Sequence, residues 1–167
     1  MYKRQPFQRD IFLCSGGEDV FEPRFTYHGY RYVEIKGMDE KPSPDTIVGR
    51  FVHTDPEPVG TFACSNDLIN QEHDICLRTV HCNIHSIPTD CPHREKLGWM
   101  QDGCVVQETA IYNMNMATFY TKWFRDMVDT QESSGYVTAI APDPDWGSSG
   151  PNDAPTCLLY TSDAADE

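Results

Sequence analysis

Between Ser86 and Asp102 the chain reads Ser-Ile-Pro-Thr-Asp-Cys-Pro-His-Arg-Glu-Lys-Leu-Gly-Trp-Met-Gln-Asp, with three carboxylates, Asp90, Glu95 and Asp102, beside Arg94 and Trp99. These residue types can handle a polyhydroxylated ligand. An ionised carboxylate accepts several hydrogen bonds from hydroxyls, a protonated one can donate, and an indole presents a flat apolar wall to a sugar ring. Cleaving a glycosidic bond needs one carboxylic acid that protonates the leaving oxygen and a second carboxylate across the ring. Glu95 is the best candidate for the acid, because Trp99 nearby is expected to shield it from water and keep it protonated near neutrality. Asp90 and Asp102 are candidates for binding sugar hydroxyls, and Arg94 for pairing with one of the acids. Read on composition alone, the same residues also describe a solvated acidic loop with a core tryptophan.

Two other chemistries compete for the same stretch. His81, Cys82, His85, Cys91 and His93 are all zinc-type ligands close together in sequence. They lack the paired C-x2-C knuckle of a structural site, and His81-x3-His85 lacks the glutamate of a metalloprotease helix. A Cys91/His93 nucleophile has Pro92 between its members and no acid to orient the imidazole. Trp146, in Asp143-Pro-Asp-Trp-Gly147, either lines a pocket or pins its loop.

The elements that must hold these groups change character along the chain. Residues 6 to about 56 read as β: Tyr27, Tyr30, Tyr32, Val33 and Ile35 form one aromatic and β-branched run, and Ile47–His53 another, with Lys41–Asp45 as a turn. Asp55-Pro-Glu-Pro58 is the natural boundary. Beyond it the period becomes helical. Ser65 or Asn66 can cap a first helix carrying Leu68, Ile69, Ile75, Cys76 and Val80. The motif follows as a loop, since Pro88, Pro92 and Gly98 suit neither helix nor strand. A second helix begins near Asp102, with Val105, Val106, Thr109, Ala110 and Tyr112. A third starts at Asn115, and its stripe of Phe119, Tyr120, Trp123, Phe124, Met127 and Val128 is expected to be core. Gly135 and the Pro-, Asp-, Gly- and Ser-rich stretch from Ala141 to Thr156 read as a long loop. A β piece followed by consecutive helices is not the alternation of a parallel α/β fold.

Composition narrows the function. The formal net charge of −13 argues against nucleic acid, which is bound by clustered Lys and Arg, and there is no run of apolar residues long enough to span a membrane. Both ends look foreign. Cys157-Leu-Leu-Tyr-Thr-Ser-Asp-Ala-Ala-Asp-Glu167 back-translates to a sequencing-library transposon adaptor, and Met1-Tyr-Lys-Arg-Gln5 to the reverse complement of its first part. The biological segment is then expected to run from Pro6 to Thr156, cut from a longer reading frame, and compartment is unreadable. With Cys157 set aside, the cysteines at 14, 64, 76, 82, 91 and 104 are expected to be mostly free, buried thiols, disulfides being the alternative in an exported protein.

At this point the residues resemble a known family. Thr89-Asp-Cys-Pro-His-Arg-Glu-Lys-Leu-Gly-Trp99 with Asp102 closely resembles the signature of bacterial α-L-rhamnosidases, glycoside hydrolase family 78. Phe25-Thr-Tyr-His-Gly-Tyr-Arg-Tyr-Val-Glu34 and Gly60-Thr-Phe-Ala-Cys-Ser-Asn66 look like two further blocks of that family, in the correct order. The resemblance implies the end of a concanavalin-like β-sandwich over residues 6–58, then the first helices of an (α/α)6 six-hairpin barrel over 59–156. It implies removal of terminal α-L-rhamnose from a glycoside with inversion and without a cofactor or metal. Glu95 matches the general acid, Asp90 and Asp102 the carboxylates that hold rhamnose hydroxyls, Trp99 a wall of the sugar subsite, and Arg94 an arginine of less defined role. The inverting base of the family lies far downstream, and nothing here matches its block; Glu108 and Glu132 stand in no such motif. His93 replaces a more usual glutamine, and Met100-Gln101 a more typical Thr-Gly. The isolated chain is therefore expected to be inactive. A rhamnose-binding module and another six-hairpin glycosidase are the alternatives; aglycone and oligomeric state are not readable.

Overall fold

A computed structural model of the chain describes residues 8–145; Trp146, Cys157 and both adaptor-like ends lie outside them. Among the described residues the regular elements are a 3-10 turn, Pro44–Thr46, and three α-helices: α1 Asp67–Cys82, α2 Met100–Asn113 and α3 Ala117–Asp129. Each helix falls where the apolar period places it. Asn66, rather than Ser65, caps α1, its Oδ1 accepting the Leu68 N–H at 3.0 Å and satisfying a donor the first turn leaves open. α2 begins at Met100, two residues before its expected start, with no side-chain cap at Trp99. Asn115 Oδ1 faces the Ala117 N–H at 3.4 Å at the entry to α3.

The helices bury two adjoining clusters. Val80 and Ile84 from the end of α1 meet Ala110, Met114, Met116 and Phe119. Met100, Trp123 and Met127 meet Val137 and Ala141, and half-buried Tyr120 packs against both groups. Burying a large apolar side chain fully contributes about 1.5–3 kcal/mol, so Trp123 and Met100 are principal anchors. Gly103 on α2 lies against the Trp123 ring of α3, and any Cβ there would run into it.

Two expectations about the helices need correction. The α3 stripe is only half core: Phe119, Trp123 and Met127 are buried, whereas Phe124 and Val128 are exposed and line an open groove with Thr121, Arg125 and Asp129. In α1 only Val80 of the expected stripe is buried, because α2 crosses near the end of that helix and nothing among the described residues covers Leu68, Ile69, Ile75 or Cys76. The segment Val137–Ala141, not singled out as core from the sequence, belongs to no regular element but is buried. It lies antiparallel to Gly98–Met100, with the Met100 N–H donating to the Ala139 carbonyl at 2.9 Å and the Ala141 N–H to Gly98 at 3.0 Å. Gly98 permits this, since a Cβ would collide with the Ala141 carbonyl.

Residues 8–57, read as β from the sequence, form no strand among the described residues; their one regular element there is the 3-10 turn Pro44–Thr46. A strand's N–H and C=O groups need a neighbouring strand, and no described segment lies beside this one in register. Phe25, Tyr32 and Val20 consequently stand almost fully in solvent. The thiols are free, but Cys14, Cys64 and Cys76 are exposed rather than buried.

Candidate active site

The motif forms a closed loop between α1 and α2. Its neck is a reciprocal pairing in which the Asp90 N–H donates to the Leu97 carbonyl at 3.1 Å and the Leu97 N–H donates to Asp90 Oδ1 at 3.0 Å. Pro88 and Thr89 are buried beneath it, and Thr89 is fastened back to Asn83 by its N–H at 2.8 Å. Asp90 is thus held at one oxygen by backbone and at the other by the Cys91 thiol, which donates to Oδ2 at 2.9 Å. The same sulfur accepts the Glu95 N–H at 3.3 Å. Cys91, considered from the sequence only as a ligand or nucleophile, links the backbone of one acid to the carboxylate of another.

Glu95 is half-buried and both its oxygens are engaged. Trp99 donates its indole N–H to Oε2 at 3.0 Å, and Arg94 donates to Oε1 at 2.9 Å. Trp99 therefore meets the acid with its polar edge, the irregular chain from Glu95 to Trp99 turning back just before α2 begins. The Arg94 pair is solvated on the arginine side, and exposed ion pairs contribute about 0–1 kcal/mol, so it orients Glu95 more than it stabilises the fold. Releasing either donor leaves an oxygen facing outward, where a ligand hydroxyl or bridging oxygen can take its place.

Asp102 sits in the first turn of α2, where the helix dipole favours a carboxylate. Its carboxyl is nonetheless pushed above the ordinary value, chiefly by partial burial, then by the negative charge of Asp90, with a smaller push from Glu95; a backbone hydrogen bond opposes them. All three acids of the motif therefore share one electrostatic environment. The five residues singled out from the sequence are brought together. Glu108 stands exposed on α2, and Glu132 lies in the turn after α3, accepting from Ser134 Oγ at 3.4 Å.

The histidines have other work. His81 stacks on His53 with ring centroids 4.8 Å apart, and His85 meets the Tyr27 ring edge-on at 4.5 Å. Burial lowers the basicity of both, and the nearby charge of His53 acts in the same direction. Among the described residues no group of three or more His, Cys, Asp or Glu side chains is arranged to hold a metal ion.

Tyr27 and Gly29 from the N-terminal segment also reach the loop, a contact invisible in the sequence. Lys96 donates from Nζ to the Tyr27 carbonyl and lies 4.8 Å from the centre of its ring. Burial raises the Tyr27 phenol, whose hydrogen bond with Thr89 acts the other way.

The chain is similar to alpha-L-rhamnosidases. The family described as bacterial alpha-L-rhamnosidase 6 hairpin glycosidase domain matches residues 57–159, and the bacterial alpha-L-rhamnosidase concanavalin-like domain matches residues 2–53. An alpha-L-rhamnosidase of Formosa agariphila is 46% identical over 117 residues, covering 70% of this chain and 12% of its own length. One of Streptomyces avermitilis is 42% identical over 135 residues, 80% of this chain and 13% of its own. Among solved structures, the alpha-L-rhamnosidase of Dictyoglumus thermophilum superposes with a TM-score of 0.75 at 45% identity, over 84% of this chain and 16% of that one. The Streptomyces avermitilis enzyme, solved in complex with L-rhamnose, gives 0.69 at 42% identity, over 78% and 13%. The chain thus spans between 12% and 16% of the length of these relatives.

Proposed function

The chain belongs to the bacterial α-L-rhamnosidase family, and from that premise we propose that it is a segment of an enzyme that releases terminal α-L-rhamnose from glycosides with inversion. Residues 6–58 are the end of the β-sandwich and 59–156 the opening helices of the six-hairpin barrel. The exposed strand residues and the uncovered faces of α1 and α3 are the surfaces that further strands and helices cover.

The observation that carries the reading is the closed loop that holds Glu95 between the Trp99 indole N–H and Arg94 while seating Asp90 and Asp102 in the same field. Glu95, in its acid form, gives its proton to the glycosidic oxygen as the bond to the anomeric carbon breaks. The leaving oxygen displaces a donor from Glu95, so the groups that orient the acid are exchanged for the substrate. Asp90 and Asp102 accept hydrogen bonds from ring hydroxyls, and Trp99 turns its apolar face to the sugar. The water that attacks from the opposite face is activated by a second carboxylate across the ring, a role for which no motif among these residues stands out.

The test is Glu95→Gln in the full-length protein. Hydrolysis of an aryl α-L-rhamnoside falls by about 10²-fold or more, the range general acid catalysis supplies, while L-rhamnose still binds in a calorimetric titration. Turnover at the wild-type rate refutes the acid assignment. Hydrolysis of other aryl glycosides but not the rhamnoside refutes the substrate.

A further inference from the structure

The contact between residues 27–29 and the motif loop is more extensive than two passing segments need. Lys96, the residue next to the acid, has φ +57, a left-handed conformation that costs a non-glycine residue roughly 1 kcal/mol or more. Its half-buried ammonium is satisfied by the Tyr27 carbonyl and the face of the same residue's ring. Tyr27 in turn bonds with Thr89, the neighbour of Asp90, and packs edge-on against His85. Two residues later Gly29 passes so close to His93 that a Cβ would stand 2.8 Å from the His93 Cβ and 3.2 Å from its Cα. Gln8 fastens Gly29 from behind, donating to its carbonyl at 2.9 Å and accepting its N–H at 3.0 Å. The segment thus grips the loop on both sides of Asp90 and Cys91 and on both sides of Glu95.

We propose that Tyr27–Gly29 is a strap from the N-terminal region that sets the position of the acid, with Lys96 as the positioning residue through which it acts. The proposal rests on the rhamnosidase reading for its catalytic consequence, though not for its geometry. Lys96 and Glu95 share a peptide bond, so fixing the Lys96 side chain and its unusual φ fixes the direction in which the Glu95 carboxyl leaves the backbone. Lys96→Met removes the ammonium and keeps the apolar stem; Lys96→Arg keeps a cation that can still reach the carbonyl and the ring. Gly29→Ala prises the strap off from the other side without touching Lys96.

Two readouts on the full-length protein test this. In hydrogen exchange, Lys96→Met and Gly29→Ala each speed exchange of the Asp90 and Leu97 amides, while amides of α3 stay at wild-type rates and Lys96→Arg restores protection. With an aryl α-L-rhamnoside, both variants lower kcat on the order of tenfold, within the roughly 10²-fold that a 1 Å misplacement costs, with KM little changed, and Lys96→Arg recovers most of it. Wild-type exchange at Asp90 and Leu97 in Lys96→Met overturns the strap. Faster exchange with unchanged kcat overturns its catalytic role. Loop exchange that responds in a protein where Glu95→Gln leaves hydrolysis intact keeps the strap and overturns the acid reading instead.

Discussion

Replacing Gly103 with alanine is the sharpest probe of how the site is held, because it strikes where α2, which carries Asp102, meets α3. An added Cβ would stand 2.7 Å from Trp123 Cζ3 and 3.1 Å from Cζ2, with Cη2 closer still. Relaxed carbon contacts lie at about 3.5–4.0 Å, so the nearest ring atom must give by roughly 1.5 Å. It has little freedom to do so. Trp123 is 1% exposed, and its indole N–H donates to the Ala141 carbonyl at 2.9 Å. Moving it strains or breaks a buried hydrogen bond worth about 1 kcal/mol, on top of about 1–3 kcal/mol for overpacking. Against this stands a gain of about 1 kcal/mol from replacing glycine inside a helix. The net expectation is a loss of about 1–3 kcal/mol, read as a lower urea midpoint with an unchanged slope, followed by far-UV circular dichroism. Val105→Ala on the exposed side of the same helix, 74% exposed, should stay within about 0.5 kcal/mol of wild type. Trp123→Phe, itself destabilising, should recover part of the Gly103→Ala penalty in a double-mutant cycle, because the smaller ring leaves room for the methyl. A Gly103→Ala variant as stable as wild type, or additivity with Trp123→Phe, would refute this packing of α2 on α3.

Further consequences concern titration and the second seam. The Asp102 carboxyl is raised in the folded state above its ordinary 3.8, so folding takes up a proton there, and its contribution turns unfavourable as pH rises from 3.8 through the raised folded value. Asp102→Asn should therefore gain stability relative to wild type between about pH 4 and pH 7 in urea unfolding; equal pH slopes for the two proteins count against it. His81 and His85 are lowered from 6.5, so their contribution is fully present above that value and is lost as pH falls through the depressed folded values. The His81→Gln/His85→Gln double variant should flatten the acid side of the stability profile, and a profile unchanged in shape speaks against buried neutral imidazoles. At the other seam, Gly98→Ala should drive Val137–Ala141 off the loop and speed amide exchange at Met100 and Ala141; full protection there would mean that the antiparallel pairing does not depend on the bare glycine.

The residues of the candidate site stand out in the sequence because their types and spacing are local facts. Pro88, Pro92 and Gly98 bar regular structure from the stretch that carries Asp90 and Glu95, and the capping side chain of Asn66 and the apolar period place the three helices nearly where they stand. Those signals act over a few residues, within reach of backbone sterics and single hydrogen bonds. What the tertiary structure decided is which faces are covered and which partner each side chain finds. Phe124 and Phe119 lie on the same helix and are equally apolar, yet only Phe119 meets the end of α1. Val137–Ala141 is irregular chain that is buried because Gly98 admits the Ala141 carbonyl, and Trp99 reads as a shield until its N–H meets Glu95. Lys96 finds its partner 69 residues away. Such pairings depend on shapes meeting across the fold, for which no spacing rule along the chain exists. The identity of the acids was therefore written in sequence, and their orientation only in space.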